Sequence, residues 1–191
     1  VQADAFEVVL VRHGETEWAR EGKHTGRTDI PLTERGRRQG EAVGAALEGR
    51  RFALVLTSPL ERALETCRLA GFGDVAELRD ELREWDYGAY EGRKTVEIRE
   101  EVPGWTLWRD GAPEGETIEE VAARVDGLLA ELRSVQGDAL LFAHGHLLRV
   151  LAARWLGLEP QAGALFALDP ASISTLGYER ETSVIRLWNE G

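Results

Sequence analysis

Apolar residues along the chain come in short dense runs separated by polar, helix-forming stretches. Val8-Val9-Leu10-Val11 is such a run and predicts a strand over about 6–12, buried on both faces. Phe52 to Leu56 and Ala139 to Ala143 predict two more buried strands, and a short one is expected near 75–79. Ile173 to Tyr178 and Val184 to Trp188 read as a final strand pair joined by a polar turn. Between these runs the apolar period lengthens to that of a helix. Thr33 opens a helix with Ala42, Val43, Ala46 and Leu47 on one face. Ser58-Pro59-Leu60-Glu61 reads as a second helix start, with Ser at the N-cap and Pro at the first helical position, and this helix runs to about Leu69. Thr117 and Glu120 form a capping box ahead of the stripe Val121, Val125, Leu128, Leu129 and Leu132. Leu147 to Leu156 predicts the last helix. Residues 84–116 are irregular and rich in Trp, Gly and Pro, with one short helix near 95–101.

This alternation predicts an α/β fold: a three-layer α/β/α sandwich with a mainly parallel sheet and an antiparallel edge. A single domain over 1–191 is expected, with 84–116 as a cap that sets specificity. In such sheets ligands bind beyond the carboxyl ends of the strands. Three predicted strands end in chemistry. The first runs into Arg12-His13-Gly14-Glu15-Thr16, the second into Thr57-Ser58-Pro59 with Arg62 just beyond, and the third into His144-Gly145-His146. If the strands are parallel neighbours, two arginines and two histidines share one rim, and a helix N-terminus beside Arg62 adds further attraction for an anion.

Composition narrows the chemistry. The formal net charge of −11 argues against nucleic acid or an anionic membrane as partner. An acidic protein that binds an anion must therefore concentrate positive charge in one place. No apolar run is long enough to span a bilayer. Val1-Gln2-Ala3-Asp4-Ala5 shows no signal-peptide pattern, so a cytoplasmic location is expected. The lone Cys67 excludes an internal disulfide and a four-cysteine zinc site. His144 and His146 have the spacing of a possible metal pair. No carboxylate cluster completes such a site, and two flanking arginines would repel a divalent cation. His144 is expected to face the pocket and His146 to pack structurally. A proton donor is still needed for ester hydrolysis. Glu84, Asp86 and Glu91 lie among aromatic residues that shield a carboxyl group from water, which suits a general acid. Charge pattern alone does not choose between Glu84 and Asp86.

The ordered set resembles the histidine phosphatase superfamily, in its phosphoglycerate-mutase-like branch. It comprises Arg12 to Thr16, Thr25 to Thr33, Ser58 to Thr66, Glu84 with Gly88 to Gly92, Gly115-Glu116-Thr117 and Ala143 to His146. The resemblance covers essentially the whole chain. It implies His13 as a nucleophile that forms a phosphohistidine, with Arg12, Arg62 and His144 clamping the phosphoryl oxygens. Glu84 becomes the acid, and the Thr25 and Gly26 backbone adds contacts. Gly145, Trp85 and Tyr87 are expected at the substrate, with Lys23, His24, Arg93, Lys94 and Arg109 as further candidates. No metal or other cofactor is implied, because the cations are side chains. Ala19 departs from the family, which often has Asn at that position. The sequence around Glu84, Trp105 to Gly111 and Phe142 to His146 is similar to a subgroup with actinobacterial acid phosphatases and a fungal sedoheptulose-1,7-bisphosphatase. The expectation is hydrolysis of a small phosphorylated metabolite, a sugar phosphate or bisphosphate. A phosphoglycerate mutase and a non-catalytic phospho-ligand module are the alternatives. A homo-oligomer is compatible with the sequence.

Overall fold

A computed structural model describes residues 6–191; residues 1–5, where no signal-peptide pattern was found, lie outside the described residues. Six strands form one sheet: β1 (Val8–Arg12), β2 (Leu54–Thr57), β3 (Glu77–Leu78), β4 (Ala139–Ala143), β5 (Ile173–Glu179) and β6 (Thr182–Glu190). Their order is β3-β2-β4-β1-β5-β6. β4 lies between β1 and β2 and runs parallel to both, so the three chemically marked strand ends are neighbours. β5 and β6 add the expected antiparallel edge.

Alternation along the strands builds two cores. Val9, Val11, Leu140 and Phe142 face one side with Val43 of α2 (Glu34–Ala46), Leu47 just past its end and Cys67 of α3 (Glu61–Leu69). Val8, Leu10, Leu141 and Ala143 face the other, against the Val121, Val125 and Leu129 stripe of α6 (Ile118–Leu132) and Leu147, Leu148 and Leu151 of α7 (Gly145–Trp155). Helices cover both faces, as a three-layer α/β/α sandwich requires. The 84–116 stretch holds two short helices, α4 (Thr95–Glu101) and α5 (Leu107–Asp110). Trp85, Trp105 and Leu107 pin it to the second core. A one-turn helix, α1 (Glu17–Glu21), capped by Thr16, was not foreseen.

Two starts differ from expectation for one reason. Ser58 does not cap α3, which begins at Glu61 with no side-chain cap from its own neighbours. Instead Asp29 Oδ1 accepts the Glu61 N–H at 2.7 Å from 32 residues away. The Ser58 hydroxyl is occupied by His144. α7 likewise begins at Gly145, two residues early, so that His144 sits at its N-cap position. The Thr117–Glu120 capping box forms as expected.

Candidate active site

His13 leaves β1 and is almost fully buried. Its Nδ1 lies 2.8 Å from the carbonyl of Gly14. A carbonyl only accepts, so Nδ1 carries the ring proton and Nε2 of the neutral ring keeps its lone pair. Burial, then Arg62 and Arg12, hold His13 well below the usual histidine range. The turn that exposes it is built from close backbone contact. A Cβ on Gly14 would meet the Gly36 carbonyl at 2.4 Å, and one on Gly36 the Glu15 carbonyl at 2.1 Å. Glu15 Oε1 accepts from Thr33, which caps α2 through its contact with Gly36 N–H. Two sequence-distant motifs are thus parts of one turn.

Three buried cationic or N–H-bearing groups surround His13. Arg12 donates to the carbonyl of Leu168 and leaves its Nε without a partner. Arg62 is fully buried, donates to the carbonyls of Thr25, Gly26 and Thr28, and also leaves Nε without a partner. His144 packs its ring 5.2 Å from that of His13, and its Nε2 lies 2.8 Å from Ser58 Oγ. The Ser58 hydroxyl accepts the Leu60 N–H and satisfies its own hydrogen only by donating to His144. That puts the proton of neutral His144 on Nδ1, which is buried and unpartnered. Buried polar groups without partners are rare in folded proteins. Here three such atoms, all capable of donating to an anion, belong to side chains that neighbour His13.

Glu84 closes the site. Its Oε1 accepts from the Trp85 and Leu147 N–H groups and its Oε2 from the His146 N–H, so both oxygens rest on the first turn of α7. Asp86 is turned elsewhere: it pairs with Arg27 at 2.8 Å and accepts from Gly88 N–H. Glu91 is committed to the amides of Gly26 and Thr28. Of Glu84 and Asp86, between which the charge pattern did not choose, the geometry brings only Glu84 to the cleft.

A cleft of about 100 Å³ opens onto this centre, lined among others by Arg12, His13, Ala19, Thr25, Glu84, Tyr87 and Gly145. Arg62 and His144 are not among its lining residues, whereas His146, expected to pack structurally, is. Gly26 does not line it either, and its N–H is spent on Glu91. Trp85 does not line the cleft: it is fully buried, its indole bound to the Glu116 carbonyl, beneath Trp108 and His146. Its apolar surface serves the core. At the mouth stand Lys23, His24, His146 and Arg149. Arg93 and Arg109 point into ion pairs with Glu101 and Asp110 instead. Tyr87 Oη lies 2.6 Å from His146 Nδ1. Burial raises the phenol and lowers the imidazole, so the two share this hydrogen bond as neutral groups. His24, lowered to about 4 by burial, is also neutral and has an unpartnered Nε2. Sequence reasoning missed Arg149 and Leu168. Arg149 lies three residues after His146 on one helical face, a spacing that signals it. Leu168 contributes only its carbonyl to Arg12, which no side-chain pattern reveals.

A larger hollow of about 580 Å³ runs along 107–119 and touches none of the strand-end residues. Among the described residues, no group of three or more His, Cys, Asp or Glu is arranged to hold a metal ion. No helix there is long and apolar enough to cross a membrane.

Arginine and histidine side chains gathered beyond the carboxyl ends of the parallel neighbours β1, β4 and β2 suit an anionic ligand such as phosphate. The sequence matches the histidine phosphatase superfamily (branch 1) over residues 8–191, and the chain belongs to that family. It is 41% identical over 187 residues to an acid phosphatase of Mycobacterium tuberculosis, covering 94% of this chain and 92% of that one. It is 37% identical over 186 residues to sedoheptulose 1,7-bisphosphatase of Saccharomyces cerevisiae, covering 80% and 68%. A protein of Cronobacter sakazakii named probable phosphoglycerate mutase is 34% identical over 193 residues, covering 96% and 90%. A solved structure of an open reading frame from Mycobacterium tuberculosis superposes with a TM-score of 0.93 at 39% identity, covering 97% of both chains. The chain is a hydrolase of the histidine phosphatase class.

Proposed function

We propose that the protein hydrolyses small phosphomonoesters of hydroxyl-rich alcohols, sugar phosphates or bisphosphates, through a phosphohistidine at His13. The observation that carries this reading is the set of buried polar atoms without partners near His13, Arg12 Nε, Arg62 Nε and His144 Nδ1, with the His144 ring 5.2 Å from that of His13 and the His13 Nε2 left bare. Nε2 attacks phosphorus, and the ester P–O bond breaks as the donors hold the three equatorial oxygens. Glu84, in its protonated form, gives its proton to the leaving alkoxide. Water then attacks phosphorus and passes a proton to the Glu84 carboxylate; the P–N bond breaks, its electron pair returns to His13 Nε2, and inorganic phosphate leaves. Each donor to the developing charge contributes about 3 kcal/mol, by analogy with oxyanion-hole donors.

The mouth supports the hydroxyl-rich class. His24 and His146 present neutral imidazoles beside Thr25, with the faces of Trp105 and Trp108 near them. Neutral hydrogen-bonding groups fit hydroxyls, and Arg149, which lines the same cleft, suits a second anionic group. We propose that the 84–116 stretch contributes to this preference as a cap through Glu84 and Tyr87, which line the cleft.

Phosphate release measured over sugar mono- and bisphosphates, ranked by kcat/KM, tests the reading. Activity concentrated on polyol phosphates supports it. Interconversion of 2- and 3-phosphoglycerate with a bisphosphate primer and little phosphate release would contradict it.

A further inference from the structure

Glu91 lies outside the cleft, yet the most buried cation of the cleft depends on it. Arg62 donates through Nη1 to the Thr28 carbonyl at 3.0 Å, and through Nη2 to those of Thr25 at 3.1 Å and Gly26 at 2.8 Å. With both terminal nitrogens committed to one short loop, the loop decides where the remaining Nε points. The same loop hangs on Glu91 by its amide side. Gly26 N–H reaches both carboxylate oxygens, at 2.9 and 3.1 Å, and Thr28 N–H reaches Oε1 at 3.1 Å. The fit is tight: a Cβ on Gly26 would lie 2.6 Å from Glu91 Oε2 and 2.8 Å from the Trp85 carbonyl. Backbone pairing fixes Glu91 from its own side, with Gly92 N–H on the His24 carbonyl at 2.8 Å and His24 N–H on the Arg93 carbonyl at 2.9 Å.

We propose that Glu91 is a positioning residue for the phosphate clamp. Its carboxylate holds loop 25–28 by the amides, so that the carbonyls of that loop aim Arg62 at the phosphoryl group. The cap therefore supplies two things to the centre: the proton donor Glu84 and, through Glu91, the alignment of a cation on the opposite side. This inference rests on Arg62 being a phosphate ligand, as the proposed function has it. Outer partners of charged ligand groups at metal sites are worth roughly 10- to 100-fold in affinity or activity, and a similar range is expected here.

A residue that acts through Arg62 loses its effect when Arg62 is gone, whereas a residue that merely stabilises the fold does not. The test is calorimetric titration of inorganic phosphate into the wild type, Glu91→Ala, Arg62→Ala and the double variant. Glu91→Ala is expected to weaken phosphate binding roughly tenfold or more. In the Arg62→Ala background the same substitution is expected to change affinity by less than about twofold. Glu91→Gln, which keeps an Oε1 acceptor for both amides, is expected to recover most of the affinity. Equal losses in both backgrounds, or no loss in Glu91→Ala, overturn the proposal. If Glu91→Ala does not fold, Glu91→Asp, which withdraws the acceptor by one methylene, carries the same cycle. Because binding is read without turnover, a wild type that binds phosphate but hydrolyses nothing contradicts the proposed function alone.

Discussion

Ser58 Oγ and His144 Nε2 lie 2.8 Å apart, and this contact decides which nitrogen of His144 carries the proton. Ser58 stands just past the end of β2 and His144 just past the end of β4, so adjacent parallel strands bring them together. Replacing Ser58 by Ala removes the donor and frees the imidazole to take the wrong tautomer. Ser58→Ala is expected to lower kcat/KM for an aryl phosphate by about tenfold, the scale of one lost hydrogen bond. His144→Ala is expected to cost 100-fold or more, on the order of one oxyanion donor. Steady-state kinetics with circular dichroism as a fold control check both.

Glu84 is assigned to the leaving group, so its loss should depend on how much the leaving group needs a proton. Glu84→Gln is expected to lower kcat/KM for an alkyl phosphate by roughly 10²- to 10⁴-fold, the usual worth of a general acid. For 4-nitrophenyl phosphate, whose leaving group departs unprotonated, the loss should be under about tenfold. Because kcat/KM ends at the first irreversible step, water activation does not enter the comparison. Equal losses for both esters would remove Glu84 from that role.

All four histidines of the chain, His13, His24, His144 and His146, are held below the ordinary histidine value, with burial the largest cause in each. The unfolded chain therefore takes up protons near pH 6.5 that the folded chain refuses. Stability is fully present above that pH and is lost as pH falls through 6.5 toward the folded values, about 4 for His24. Each such site adds up to about 1.4 kcal/mol per pH unit to the slope. Denaturant unfolding is expected to show a marked loss of stability from pH 7 to pH 5. His24→Gln, which removes one titrating group, should flatten the slope by up to one proton. A slope unchanged by His24→Gln would contradict its buried neutral state.

The centre was legible in the sequence because it is built from side-chain types at strand ends. Arg12, His13 and His144 adjoin apolar runs too short to be anything but buried strands, and the alternation of elements makes those strands parallel neighbours. What escaped was whatever depended on long-range partners. Ser58 has the sequence signature of an N-cap, but its hydroxyl goes to His144, and Asp29 caps the helix from 32 residues away. Glu91 looked like a third candidate acid and instead holds the amide of Gly26. Trp85, adjacent to Glu84, was expected at the substrate. Its neighbour's carboxylate points to the rim, while the indole turns into the core and bonds the Glu116 carbonyl.

The central claim is that Nε2 of His13 attacks phosphorus. Rapid-quench reaction with a phosphomonoester, followed by peptide mapping under mildly alkaline conditions, tests it most directly. An acid-labile phosphoryl group on Nε2 of His13, formed at least as fast as kcat and absent from His13→Ala, is the predicted result. Full turnover by His13→Ala, or a phosphoryl group trapped on any other residue, would contradict the account.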